Sequence, residues 1–219
     1  MLQLTSRDEA MLDWMNVVRL ADVDAIRWAL SAYQDDHDGP VSVRRANHWI
    51  ARMAELGYLG RVRPVYRDRQ IVWPTHQSSG RAIPRLFRQT MRHELAVASA
   101  SARYKSLGFE WTRDVRPLQS RDHQGDGLAT RDGVTLLVEV ELTAKRVARY
   151  ELIHASHARR LGRGVTKVVY LGTTDVIKVV SREADKNVFR DLRQLVLTAA
   201  LLDPQGRWVS DSAVANLPE

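Results

Sequence analysis

Three carboxylates in the second half of the chain are spaced for work on a cation. Glu139 and Glu141 alternate by two within LLVEVEL, so on a strand they share one face. Asp126, within the GDG of the preceding strand-like run, can meet them there. Carboxylates gathered on one face repel one another unless a divalent cation or basic side chains compensate, which makes Asp126 and Glu139 the first candidates for a metal site. The competing reading pairs Glu139 and Glu141 with arginines of flanking helices. His154 and His157 are three apart, a spacing at which a helix presents two imidazoles together; no carboxylate is evident on that face, and a surface placement is preferred.

A second constellation is cationic and lies in residues 41–73. With Ser42 as a helix cap, Val43, Ala46, Ile50 and Met53 form a stripe at three-and-four spacing, while Arg44, Arg45, His48 and Arg52 fall opposite, beside Asn47. Gly57 can end the helix in the left-handed conformation. Residues 58–65 and 70–73 then read as two short strands around a turn. A helix of about 15 residues with an arginine-lined face fits a B-form major groove, and Arg61, Arg63, Arg67 and Arg69 of the hairpin can lie along the phosphate backbone. The pattern predicts the recognition helix and wing of a winged helix-turn-helix, with Ser42, Arg44, Arg45, Asn47, His48 and Arg52 toward double-stranded DNA. Set against it is an ordinary solvated face.

These residues need a scaffold. Ser6 is expected to cap a first helix to residue 18 with Met11, Leu12, Met15 and Val18 inward, and Asp22 a second bearing Val23, Ile26 and Leu30. Trp28, Trp49 and Trp73 are read as core of this first domain, residues 1–76. The polar stretch 75–80 is the expected linker, and residues 81–219 the second domain. Pro84 suits the first turn of a long helix to residue 107, whose small residues predict close packing on a sheet or service as a dimer strut. Residues 109–115 read as a strand, 125–129 and 134–142 as a hairpin whose second strand is central. Thr143 is expected to cap a helix over 144–161, followed by a buried strand at 165–171 and a helix at 175–187. Residues 195–202 fit strand or helix. The expected class is α+β or α/β, a mixed sheet flanked by helices behind the helical module.

The balance of charge agrees with a polyanionic partner. The chain of 219 residues carries a formal net charge of +7, yet residues 1–38 hold three basic and eight acidic side chains and residues 39–76 seven basic and two acidic. Residues 145–167 add seven basic and one acidic, either a second DNA-contacting surface or a solvated face. With no cysteine, a disulfide framework and a cysteine zinc finger are excluded. No leader-like start and no run of about 18 apolar residues is present, so a cytoplasmic protein with no membrane partner is expected. No small-molecule ligand is evident, DNA binding itself calls for no cofactor, and a homodimer, with the second half setting its spacing, is compatible with this reading.

The carboxylate pattern resembles the PD-(D/E)XK nuclease superfamily, in which an aspartate and a strand Glu-x-Lys hold Mg²⁺ that activates water against a phosphodiester. The matching positions are Asp126 in GDG and Glu139 in EVE, with Glu94 in RHEL as the helix glutamate. Gly125 stands where that pattern has proline and Glu141 where it has lysine, leaving Lys145 as a displaced source of the amine. Both halves together resemble the replication-relaxation family of plasmids and phages, through IARMAELGYLGRV, RHELAVA, GDGLA and LLVEVELTAKRVARY. That resemblance implies a winged helix fused to a nuclease-like domain. It implies a sequence-specific regulator, such as a repressor, of replication, transfer or transcription, with Glu94, Asp126, Glu139, Glu141 and Lys145 as a catalytic set, active or vestigial. The alternative is a Mg²⁺-dependent endonuclease or nickase targeted by the winged helix.

Overall fold

Local chemistry starts each of the first three helices. Thr5 caps α1 (Ser6–Val18) one residue earlier than Ser6 would, because Asp8 completes a capping box: the Asp8 N–H donates to Thr5 Oγ1 at 3.3 Å and the Thr5 N–H to Asp8 Oδ2 at 2.9 Å. After the two-residue strand β1 (Ala21–Asp22), the Asp22 carboxylate accepts from the Ala25 N–H at 2.9 Å and starts α2 (Val23–Ser31). Ser42 likewise caps α3 (Val43–Glu55), which ends before Gly57 at φ +79°. Strands β2 (Leu59–Val62) and β3 (Ile71–Pro74) follow, and the three strands form an antiparallel sheet in the order β1-β3-β2. A side chain at Gly60 would collide with the Trp73 ring opposite it in the β2–β3 ladder, so glycine lets the indole lie flat there.

The computed structural model describes residues 3–34, 39–64, 69–86, 90–115 and 123–219. They form two compact units, Met1–Gly108 and Phe109–Glu219. The boundary therefore falls about thirty residues beyond the expected linker, where the short helix α4 (His76–Ser79) stands instead. The reason is α5 (Met91–Ser106), which starts later than Pro84 and packs within the first unit, chiefly on α2, rather than on a sheet. Its Ala96, Ala98, Ala100, Ser101 and Ala102 are buried and let neighbouring backbones approach closely. Two polar ties fix the contact: Trp14 Nε1 donates to Ser101 Oγ at 2.8 Å, and the fully buried Arg103 donates to Asp24 Oδ2 at 2.9 Å.

The second unit is built on a five-stranded sheet in the order β4-β5-β6-β7-β8, formed by β4 (Glu110–Thr112), β5 (Gly127–Arg131), β6 (Val134–Glu141), β7 (Lys167–Gly172) and β8 (Val196–Ala200). β4, β5 and β6 are antiparallel neighbours, and β6, β7 and β8 parallel ones. Parallel pairing requires crossovers, supplied by α6 (Val147–Arg160) between β6 and β7 and by α7 (Thr174–Asn187), followed by the short α8 (Arg190–Arg193), between β7 and β8. Of residues 195–202, Val196–Ala200 form a strand and none is helical. α6 begins three residues later than expected and Thr143 does not cap it. Tyr150, Ile153, Val176, Ile177 and Val180 of the two long helices join Leu137, Val168 and Tyr170 of the sheet in one core. The architecture is mixed α+β, with two sheets. No helix among the described residues is long and apolar enough to cross a membrane.

Candidate functional site

Burial divides α3 almost as its periodicity predicts. Ala46, Trp49, Ile50 and Met53 face inward, whereas Val43, assigned to the inner stripe, is 52% exposed and yields its place to Trp49. Arg44, Arg45, Asn47 and His48 are exposed. Ser42 is also exposed, but its hydroxyl is engaged as the cap, accepting from the Arg45 N–H at 3.3 Å. Arg44, Arg45 and His48 line one side of a cleft of about 490 Å³ that Arg7, from α1, also borders. Asn47 lines a second cleft, of about 280 Å³, with Arg63 and Arg69. Arg61 and Arg63 are exposed on and just after β2, and Arg67 lies outside the described residues.

Two of the expected DNA-facing arginines are instead held by acidic residues of the same unit. Arg52 pairs with Asp8, a fully buried carboxylate that also accepts from Trp49 Nε1 at 3.0 Å. Burial would raise Asp8; Arg52, Thr5 and Trp49 outweigh it and hold the carboxyl at about 2. Arg69 lies 3.6 Å from Asp22 and 3.5 Å from Asp24. Burial and the neighbouring Asp24 raise Asp22, while Asp24, despite its own burial, is lowered by Arg103, Arg69 and Arg27. Asp8, Asp22 and Asp24 are therefore internal counter-charges to arginines of the same unit. Arg52 and Arg69, expected toward DNA, are thus ion-paired within the unit.

In the second unit Glu139 and Glu141 do share one face of β6, and both are buried. Asp126 sits just before β5 and extends the ladder: its N–H donates to the Val138 carbonyl at 3.0 Å, and its Oδ2 accepts from the Val140 N–H at 2.7 Å. Gly125 accounts for the missing proline. Its N–H donates to Asp114 Oδ2 at 2.7 Å, which proline could not do, and a side chain there would strike Leu137. Asp114 is gripped in turn by both terminal nitrogens of Arg160, at 2.6 and 2.8 Å. Lys145 pairs with Glu141, and burial lowers its ammonium against the opposing pull of Glu139 and Asp126. Glu94 belongs to α5 in the first unit, where it borders a cleft with Arg19, Arg81 and Arg85.

The placement of the histidines differs most from expectation. His154 and His157 are 1% exposed, on the face of α6 that covers the sheet, not on the surface. The carboxylate not evident on that face in the sequence is Glu139: its Oε1 lies 3.0 Å from His157 Nε2 and 3.1 Å from His123 Nε2. Burial would raise Glu139; the two imidazoles overcome it and keep the carboxyl at about 2. On the far side of the His157 ring, Nδ1 lies 2.9 Å from the Tyr170 hydroxyl, which is also 3.3 Å from His154 Nδ1. Burial holds the Tyr170 phenol well above its ordinary range and His154 down at about 4, so both are neutral at pH 7. Among the described residues, the atoms that converge closely enough to share an ion are those of His123, Glu139 and His157. Asp126, expected beside Glu139 as a metal ligand, is not in that group.

His123 and Tyr170 carried no signal that sequence reasoning used. The three-residue spacing of His154 and His157 did carry one, and it becomes decisive once the β6–α6–β7 crossover lays α6 over the strand that bears Glu139. No protein-family model, curated protein or solved structure matches the chain.

Proposed function

We propose that the chain is a sequence-specific double-stranded DNA-binding protein whose first unit reads the duplex through α3. The observation that carries this reading is the grouping of Arg44, Arg45, Asn47 and His48 on the exposed face of a 13-residue helix, with Arg61 and Arg63 exposed on the strand segment that follows. At 1.5 Å per residue that helix is about 20 Å long, enough to lie along a major groove. The helix, strand, two helices and antiparallel pair, with β3 between β1 and β2, support a winged helix-turn-helix. A sheet with three antiparallel strands, a crossover helix and a parallel strand supports a nuclease-like second unit, in keeping with the resemblance to the replication-relaxation family. A regulator of a phage or plasmid element, a repressor or a replication or transfer control protein, follows from the two together.

The test is selection of bound fragments from a random duplex library, followed by affinity measurement on the selected site and on random DNA. Arg45→Ala is expected to cost about 1–3 kcal/mol on the selected site and less on random DNA; equal losses on both would remove base reading by α3. In an endonuclease of the Mg²⁺-dependent kind the ion is held by one or two carboxylates together with water and substrate phosphate oxygens. Asp126 is engaged with the Val140 N–H, and the groups nearest Glu139 Oε1 are imidazole nitrogens rather than oxygens, so the residues fit that ion poorly and the regulator reading takes precedence. Supercoiled DNA that stays intact with the full chain and Mg²⁺ or Mn²⁺ is the expected outcome, and nicking that Glu139→Ala abolishes would reverse the order.

A further inference from the structure

The group around Glu139 is built from four separate segments. His123 is delivered by its backbone: its N–H donates to the buried Ser156 hydroxyl at 3.0 Å, on the helix residue next to His157. The following Gln124 and Gly125 are tied to Asp114, at 2.6 and 2.7 Å, and Asp114 is forked by Arg160 one turn further along α6. His157 comes from α6, Glu139 from β6 and Tyr170 from β7, directly across the ladder from Glu139. This is a braced arrangement and not a chance meeting of surface side chains.

Its polar atoms are nevertheless unsatisfied. Glu139 Oε1, His123 Nε2 and His157 Nε2 are all shielded from solvent, and none has a hydrogen bond of acceptable geometry although the nitrogens stand 3.1 and 3.0 Å from the oxygen. The attraction of the imidazoles offsets the burial of the carboxylate, but these three atoms are left without a directed partner. The Tyr170 hydroxyl has one proton and can donate to only one of His154 Nδ1 and His157 Nδ1. In the arrangement in which it accepts from His157 Nδ1, the His157 Nε2 lone pair faces the carboxylate oxygen, and a cation between the two would satisfy both. In a tetrahedral zinc site with bonds of about 2.0–2.1 Å, ligand atoms lie roughly 3.3 Å apart, so the carboxylate oxygen, at 3.0 and 3.1 Å from the two nitrogens, needs only a slight shift on those two sides to admit the ion.

We propose that His123, Glu139 and His157 bind one divalent cation of the imidazole-preferring class, with zinc as its representative and Tyr170 as the positioning residue for His157. Two imidazoles and one carboxylate suit such an ion far better than Mg²⁺, which favours oxygen ligands and retains its water. Three protein ligands leave a fourth position for water. Solvent reaches the group on the side of His123, which is 17% exposed against 4% for Glu139 and 1% for His157. The site lies wholly in the second unit and is independent of the reading of α3.

The test measures binding of Zn²⁺ and Co²⁺ to the full metal-stripped chain without DNA, by calorimetry and by the visible spectrum of bound Co²⁺. One ion per chain is expected, with a tetrahedral Co²⁺ spectrum and no displacement by millimolar Mg²⁺. His123→Ala, at the half-buried rim where folding is least at risk, and Glu139→Gln, which keeps the shape of the side chain, are each expected to weaken binding at least tenfold, with near-UV circular dichroism reporting that the fold is kept. Tyr170→Phe is expected to lower affinity by about 10- to 100-fold, as loss of an orienting partner does. A folded wild-type chain that takes up neither ion would overturn the site, since a proton would then occupy the gap. Uptake unchanged by both His123→Ala and Glu139→Gln would overturn it too, by placing the ion elsewhere.

Discussion

Asp8 and Arg52 show how a single carboxylate redirects a residue. Arg52 stands on the same side of α3 as Arg45, but Asp8 is fully buried beneath it and needs a cation, because an unpaired charge in that position costs several kcal/mol. Arg52→Ala is therefore expected to lower stability by about 2 kcal/mol at pH 7, measured by urea denaturation, and to affect DNA affinity only through the fold. The pair is also acid-sensitive in a defined window. Asp8 is held at about 2 against an ordinary 3.8, so its contribution, about 2 kcal/mol, is complete above pH 3.8 and is lost as the pH falls toward 2. The stability gap between wild type and Arg52→Ala should narrow over that interval, and a gap independent of pH would mean that Arg52 acts through packing alone. Gly127 is a second residue with a single physical reason: a side chain there would fall on the Trp111 ring. Gly127→Ala is expected to cost about 1–3 kcal/mol by overpacking, read from the thermal midpoint.

Among the elements, α5 has the largest consequence for the architecture. Its residues Leu95–Tyr104 are buried almost without interruption, and Arg103 carries a charge into that interior to meet Asp24 on α2. The Arg103 guanidinium also stacks 4.9 Å above the Trp28 ring, so α5 and α2 are joined by ion pair, cation–π contact and small-residue packing together. Asp24→Ala leaves Arg103 buried without its carboxylate and is expected to cost about 3–5 kcal/mol. A fragment of residues 1–108 is expected to fold and to bind duplex DNA, whereas one ending at residue 76 should show little cooperative unfolding, because α1 and α2 lose the helix that covers them. Equal stability of the two fragments would place the boundary back at the polar stretch. α6 makes the corresponding point in the second unit: it is basic outside and lined with Tyr150, Ile153, His154 and His157 inside, so one helix both closes the core and supplies imidazole to the sheet.

At the scale of the whole molecule, charge is segregated but partly consumed. The excess of basic over acidic side chains is +7, yet Arg27, Arg52, Arg69, Arg103 and Arg160 are paired internally, while Arg44, Arg45 and Arg61 are among the exposed cations. Affinity for random duplex should fall steeply as salt rises, and Arg61→Ala should reduce the slope of log affinity against log salt by about one, without changing which site is preferred. An unchanged slope would mean that the β2 segment does not touch phosphate. Within the chain, the sequence alone determined what depends on neighbours a few residues away: the caps at Asp22 and Ser42, the inward run of α3 apart from Val43, the hairpin of β5 and β6, and the shared face of Glu139 and Glu141. Each follows from a fixed helical or strand period and from side chains bonding to backbone within one turn. Only the tertiary structure decided the partners of those side chains, because pairings such as Asp8 with Arg52, Asp24 with Arg103 and Glu139 with His123 and His157 join residues 16–79 positions apart. Sequence spacing carries no record of which distant charges burial will force together, since that is set by how helices and sheet pack.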